Sequence, residues 1–69
     1  MPLNLKKTLL NIRLRRETLQ YSQEYVASKL KLTQHAYSKI ECGVTKITLE
    51  RLVQISDVLL TLPSALIEI

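Results

Sequence analysis

The chain has 69 residues, of which 46% are apolar and 23% are charged, with one glycine, two prolines and one cysteine. This length and composition predict a single domain over residues 1–69 and exclude a disordered tail, a repeat array and an internal disulfide. The formal charge of +4 is uneven: residues 1–31 hold seven Lys and Arg against two acids, and residues 32–69 hold three against four. A cationic half suits a phosphate backbone or an anionic surface, although solubility alone would also explain it. No apolar run approaches the ~20 residues of a membrane span and no signal peptide is evident, so we expect a soluble, cytoplasmic protein.

The first half of the chain predicts two helices. Apolar residues recur three or four apart over residues 5–19, and Asn4 precedes them as a plausible N-cap. Arg16 interrupts this apolar stripe. Ser22 can cap the second helix, whose buried face is predicted to consist of Val26, Ala27 and Leu30.

The second half predicts three more helices. Thr33 can cap a third helix that ends at Gly43, Thr48 can cap a fourth that runs to Leu59, and Pro63 fits the first turn of a short fifth. Only residues 31–32 separate the second helix from the cap of the third, and a connection this short favours the sharp crossing of a helix-turn-helix. Because no region shows the alternation of a strand, the fold class predicted is an all-α bundle of five helices.

The third helix has a polar face. At about 100° per residue, one side collects the hydrogen-bonding side chains of Gln34, His35, Ser38 and Lys39. Its apolar residues lie opposite, and among them we expect Tyr37 to fill the core with its hydroxyl at the rim. This face is either the solvated side of an ordinary amphipathic helix or a surface that binds a partner.

Metal binding and catalysis find no support in the residue pattern. His35 and Cys42 are seven residues apart, which is ~10.5 Å along a helix and too far for a shared ion or a nucleophile–base pair. The chain has no second histidine or cysteine and no glycine-rich phosphate loop. We therefore expect no enzymatic activity, metal, cofactor or small-molecule ligand.

One set of spacings is typical of a known family: Ser22-Gln23, Val26-Ala27, residues 30–33 (LKLT) and residues 40–43 (IECG). With these residues the chain resembles the lambda-repressor-like (Xre/Cro-type) helix-turn-helix DNA-binding domains, from about Ile12 to Ile67. It departs from the family pattern at Lys31 and Leu60, where glycine is usual or frequent, and at Ile47, where proline is common. The resemblance also implies an ion pair between Arg16 and Glu41, which would explain why Arg16 interrupts the apolar stripe. Two exposed charges that stabilise the fold little are the alternative.

The resemblance implies that the recognition helix, about Gln34–Glu41, enters the major groove of double-stranded DNA. Gln34 would lie nearest the bases and match the N6/N7 edge of adenine. Gln23 would bind a phosphate through its side chain and backbone amide, and brace Gln34; Arg13 is a weaker phosphate candidate. Gln23 and Thr33 could also serve only to cap their helices. Ser38 could lie on this face without contacting DNA. The predicted DNA-binding residues are Gln23, Thr33, Gln34, His35, Ser38, Lys39 and Lys46.

One recognition helix covers only a few base pairs, so sequence-specific binding calls for a two-fold dimer on a near-palindromic operator, with its helices ~34 Å apart. The candidate dimer interface consists of apolar residues near the C-terminus: Leu60, Leu62, Leu66, Ile67 and Ile69. Alternatively, each of these residues could close the hydrophobic core of the monomer.

The function expected is a transcriptional regulator that binds operator DNA as a homodimer, as a repressor or promoter-binding controller. The resemblance is compatible with a phage repressor, a restriction–modification controller or an antitoxin with a cognate toxin as partner. The rival interpretation is a protein-interaction module that keeps the fold and binds DNA weakly or not at all.

Overall fold

The computed structural model describes residues 4–67. Within that range the chain forms five α-helices and no strand, as predicted. The helices are α1 (Leu5–Thr18), α2 (Gln23–Lys29), α3 (Gln34–Glu41), α4 (Leu49–Val58) and α5 (Pro63–Leu66). No helix in the described range is long and apolar enough to span a membrane.

The first four helices each begin with a side-chain cap. Asn4, Ser22, Thr33 and Thr48 all accept a hydrogen bond from the backbone N–H three residues ahead, at 3.0–3.1 Å. Such a cap satisfies a donor that the helix itself cannot pair, and it typically contributes about 1 kcal/mol. The fifth helix differs, because Leu62 occupies its N-cap position and makes no side-chain cap.

All five helices contribute to one hydrophobic core. Its buried members are Ile12, Val26, Ala27, Tyr37, Ile40, Leu52, Ile55, Leu59 and Leu66. Leu66 is only 3% exposed, so its assignment to a dimer interface is wrong. The reason is that α5 packs on α1 and α4, and the Asn11 side chain donates to the Leu66 carbonyl at 3.2 Å. Ile67 is half-buried against the same core, and Ile69 lies outside the described residues.

Several helices end in a left-handed residue. Gln20, Lys31 and Leu60 have φ values of 61°, 60° and 57°, and Gly43 has 84°. The left-handed backbone conformation destabilises a residue that has a Cβ by roughly 1–2 kcal/mol, which is why glycine is favoured there. Lys31 and Leu60 are the two positions at which the family pattern described above has glycine as a usual or frequent residue.

The segment between α2 and α3 is a tight elbow. Lys31 turns the chain, the Leu32 N–H donates to the Ala27 carbonyl at 2.9 Å, and Thr33 then caps α3. As a result α3 begins at the surface, with Thr33, Gln34 and His35 all exposed.

Candidate nucleic-acid interface

The outer face of α3 carries the polar row predicted from the sequence. Gln34, His35 and Lys39 are exposed and Ser38 is half-buried, whereas Tyr37 and Ile40 on the opposite face are buried. Within residues 4–67, the side chains of Gln34, His35 and Lys39 have no hydrogen-bond or ion-pair partner. These donors and acceptors are therefore free to bind another molecule.

The other end of α3 is held by a buried ion pair. Arg16 donates from Nε to Oε2 of Glu41 at 2.9 Å and from Nη2 to Oε1 at 2.8 Å. The two side chains are only 11% and 4% exposed. Arg16 also donates from Nη1 to the Tyr21 carbonyl at 2.9 Å. One guanidinium thus joins α1, the turn before α2 and the last residue of α3.

Gln23 belongs to this cluster, which the sequence did not indicate. Its Nε2 donates to Oε1 of Glu41 at 3.2 Å. The expected bond to Gln34 is not formed in this structure, since the Gln23 side chain bonds to Glu41 and the Gln34 side chain has no partner within residues 4–67. The second N–H and the carbonyl oxygen of the Gln23 side-chain amide remain available to bind another molecule. A phosphate accepts but does not donate, so a phosphate contact at Gln23 would use that N–H or the backbone amide.

The charges of the pair are mutually stabilised. Burial on its own would raise the pKa of Glu41. The hydrogen bonds from Arg16 and Gln23, together with the nearby Tyr37 hydroxyl, outweigh burial and lower that pKa below its ordinary value of 4.5. The hydrogen bond with Glu41 correspondingly raises the pKa of Arg16. Both groups are therefore ionised at neutral pH.

Tyr37 lies deeper than expected. Its side chain is fully buried, so the prediction that its hydroxyl lies at the rim of the core is wrong. The ring packs between the helices and ends beside Glu41 and Arg16, and burial, followed by the Glu41 carboxylate, raises the pKa of Tyr37. Its hydroxyl oxygen is close to that carboxylate, yet it makes no hydrogen bond of acceptable geometry within the described range.

The basic residues divide into internal and surface groups. Arg15 donates to the carbonyls of Leu59 and Leu60 at 2.9 and 3.1 Å, and Arg16 binds Glu41. The guanidinium groups of Arg15 and Arg16 are therefore engaged in hydrogen bonds within the protein. Arg13 forms an exposed pair with Glu17 at 3.3 Å, which weakens its candidacy for phosphate. Positive charge at the surface is supplied by the exposed lysines Lys6, Lys7, Lys29, Lys31, Lys39 and Lys46.

The remaining predicted contacts lie beside the exposed face of α3. Thr33 is exposed while its Oγ1 accepts from the Ala36 N–H at 3.1 Å, so it caps the helix and can still face a ligand. Lys46 is exposed in the loop between α3 and α4. Across residues 4–67 no three His, Cys, Asp or Glu side chains come together as they would around a metal ion.

Comparison with known proteins agrees with this geometry. The family model described as helix-turn-helix matches residues 12–63. Among solved structures, crystal structures of HppE with Fe(II), with Co(II) and Tris buffer, and with Fe(II) and substrate each have a TM-score of 0.80 and 28% sequence identity. Each match covers 91% of this chain but only 34–36% of HppE, so this chain spans about a third of that protein's length.

No curated protein matches the chain at a significant level. The family match nevertheless extends over about three quarters of the chain, from within α1 to the start of α5, and it includes the elbow and the whole of α3. The chain therefore belongs to the helix-turn-helix family in its lambda-repressor-like form.

Proposed function

We propose that this protein is a sequence-specific transcriptional regulator that binds double-stranded DNA as a homodimer. It would act in the cytoplasm on a near-palindromic operator, as a repressor or promoter-binding controller. The observation that supports this most directly is the row of exposed, unpartnered side chains on α3, namely Gln34, His35 and Lys39. A helix fits the major groove, where every base pair presents a distinct set of donors and acceptors.

The base contacts follow from the chemistry of that row. Gln34 is the first residue of α3, and its amide can donate to N7 and accept from N6 of one adenine. Lys39 lies more than one turn further along and can donate to guanine O6/N7 or to a phosphate. His35 and Ser38 complete the face. Each such bidentate contact is worth ~1–3 kcal/mol of discrimination against the wrong base.

The phosphate contacts would come from groups around α3. Lys46 and Thr33 lie to either side of the helix in sequence, and Gln23 offers the N–H that Glu41 leaves free. In this function the protein works by occupying DNA, so we propose that it is not an enzyme and that it needs no cofactor, metal or small-molecule ligand.

A second candidate is an interaction module on the same fold. The match to HppE favours it, because the same helical domain there makes up about a third of a longer chain whose crystal structures hold Fe(II) or Co(II). In that case the chain would bind another protein, such as a cognate toxin, or another part of a longer polypeptide. It would bind DNA weakly or not at all.

Salt dependence separates the two functions. Retention on nonspecific duplex DNA should fall with salt, with a log–log slope near −0.9 for each phosphate contacted. A flat response would favour the interaction module.

Selection of bound sites from random duplexes then tests specificity. Gln34→Ala should relax the preference at one base position at a cost of ~1–3 kcal/mol. Gln54→Ala, an exposed glutamine on α4, is the matched control and should leave the selected site unchanged. Failure to enrich any sequence with the unmodified protein would refute specific binding.

A further inference from the structure

A surface cleft lies between the end of α2 and the C-terminal half of α4. Its volume is about 350 Å³, and the residues that line it define the α2–α4 cleft: Lys29, Leu30, Lys31, Gln54, Asp57 and Val58. None of the residues proposed to contact DNA is among them. The cleft is therefore a second surface, separate from the polar row on α3.

Lys31 has a backbone conformation that suits glycine better. Its φ is 60°, and the bond that closes the turn is made by its backbone, whose N–H donates to the Ser28 carbonyl at 3.2 Å. Glycine would make the same bond without strain. The Lys31 side chain is exposed and has no hydrogen-bond or ion-pair partner within residues 4–67. Strain that the monomer does not offset indicates that this side chain serves a contact with another molecule.

Asp57, which lines the cleft from α4, is also at an unfavourable position. It lies in the last turn of α4, where the helix dipole disfavours an acid and where no basic residue is present to offset it. Its side chain is exposed and, in the part of the chain that the structure describes, forms an ion pair with neither Lys29 nor Lys31. Opposite charges that share a cleft without pairing are all available to a ligand.

The other lining residues supply an oriented cation and an apolar surface. Lys29 is the last residue of α2, and its Nζ lies 5.4 Å from the centroid of the Tyr25 ring, a cation–π contact that orients the lysine. Leu30 and Val58 are half-buried, and they form the apolar part of the lining. A ligand that fits the cleft therefore combines negative charge with an apolar group.

The hydrogen-bonding groups identify the occupant as a peptide. Gln54 accepts at Oε1 from Nη1 of Arg51 at 3.0 Å, which leaves its side-chain N–H groups free to donate. These N–H groups and the Asp57 carboxylate match the carbonyl and the N–H of a peptide backbone, while the two lysines match carboxylates. A DNA backbone fits less well, because its phosphates have no donor for Asp57 and are repelled by it.

We propose that the α2–α4 cleft binds a segment of another protein in which an apolar residue is flanked by acidic residues. The proposal goes beyond DNA binding and does not depend on it, because the cleft and the polar row of α3 share no residue. Together with the DNA-binding surface proposed above, such a cleft would bring an acidic partner to an operator.

The first test is a titration of the ¹⁵N-labelled protein with a blocked pentapeptide that has leucine between two pairs of glutamates. At ~1 mM peptide, a concentration suited to a weak contact, the amide resonances of residues 29–31 and 54–58 should shift and those of residues 38–41 should not. Replacing the glutamates by lysines should abolish the shifts, and replacing the leucine by serine should weaken binding. Unmoved cleft resonances, or equal binding of all three peptides, would overturn the proposal.

Lys31→Gly and Asp57→Asn separate a binding role from a structural one. Each removes an unfavourable feature of the monomer, so each should raise the melting temperature, by a few degrees for Lys31→Gly. Each should also weaken peptide binding, roughly threefold for one exposed charge. A structural role predicts the opposite, namely lower melting temperatures with unchanged peptide affinity, and that result would overturn the proposal.

Lys31→Glu and Lys6→Glu form a matched pair. Both lysines are exposed and both substitutions change the net charge equally, but only Lys31 lines the cleft. Lys31→Glu should abolish peptide binding, and Lys6→Glu should leave it unchanged. An equal loss in the two variants would show that the peptide responds only to overall charge, and it would overturn the proposal.

Duplex DNA is the alternative occupant of the cleft. In that case duplex DNA would shift the resonances of residues 54–58 and Asp57→Asn would strengthen nonspecific DNA binding, which would overturn the peptide proposal and leave the DNA-binding function standing. Conversely, a protein that binds the acidic peptide as expected, but whose retention on DNA does not change with salt, would refute the DNA-binding function and leave the cleft standing.

Discussion

Replacing Glu41 by alanine is expected to destabilise the protein strongly. The substitution removes the acceptor of two hydrogen bonds from Arg16 and one from Gln23. The Arg16 guanidinium, whose side chain is only 11% exposed, then keeps a single partner, the Tyr21 carbonyl. Stranding a buried charge in this way costs ~3–5 kcal/mol.

That loss is comparable with the whole stability expected of a domain this small, which is rarely more than ~3–5 kcal/mol. Glu41→Ala should therefore be largely unfolded at 25 °C when measured by urea titration with far-UV circular dichroism. Glu41→Gln keeps one acceptor oxygen and supplies a graded measurement, with an expected loss of about 1–3 kcal/mol. The control is Glu17→Ala, which breaks the exposed Arg13–Glu17 pair on the same face of α1 and should cost no more than about 0.5 kcal/mol.

The pH dependence of the free energy of unfolding tests the same prediction. The pKa of Glu41 is lowered in the folded state from 4.5, so its contribution to stability is present above pH 4.5 and is lost as the pH falls through the lower, folded pKa. The stability gap between the wild type and Glu41→Gln should accordingly narrow below pH 4.5. The double variant Arg16→Met with Glu41→Leu should recover most of the loss, because it strands no charge. A Glu41→Ala variant within 1 kcal/mol of wild type, or a double variant as unstable as the sum of its parts, would refute the reasoning.

Three further outcomes follow from the backbone and the surface charge. Lys31→Gly should stabilise the protein by about 0.5–1 kcal/mol in urea titration, since it relieves a φ of 60° at an exposed residue, and a destabilised variant would contradict this. Gly43→Ala should cost about 1–2 kcal/mol by the same assay, because φ is 84° and the added Cβ would lie 3.1 Å from Leu9 Cδ1; an unchanged midpoint would contradict it. Lys46→Ala should reduce the salt slope of nonspecific DNA binding by about one and leave the selected base sequence unaltered, and a changed sequence preference would show that Lys46 contacts bases.

The features predicted from the sequence are those set by neighbouring residues. The caps at Asn4, Ser22, Thr33 and Thr48, and the stop at Gly43, all depend on bonds that span three to five residues. Such bonds need a particular residue type at a particular spacing, and a sequence displays both. The elbow between α2 and α3 could be predicted for the same reason.

The features that were missed depend on contacts between distant parts of the chain. Arg15 looks like a surface cation in sequence, but it bonds to carbonyls 44 and 45 residues away. Gln23 could have faced Gln34 or Glu41, and only the packing of α3 against α1 decides in favour of the carboxylate. Likewise, Leu66 and Leu62 are equally apolar, and only the path of α5 separates the buried residue from the exposed one.

The way in which α3 is held bears on the DNA-binding function proposed above. The helix is fixed at its C-terminal end, where Glu41 is bonded to α1 and α2. Two of the side chains proposed to contact bases, Gln34 and His35, lie at its N-terminal end. Rigidity at one end lowers the ordering cost of binding at the other, since the helix does not have to be positioned when DNA arrives. It follows that disturbing Glu41 should weaken binding to every sequence alike through stability, whereas disturbing Gln34 should change which sequence is preferred. A Glu41→Gln variant that folds but selects a different base at the Gln34 position would show that the ion pair also sets the reading geometry.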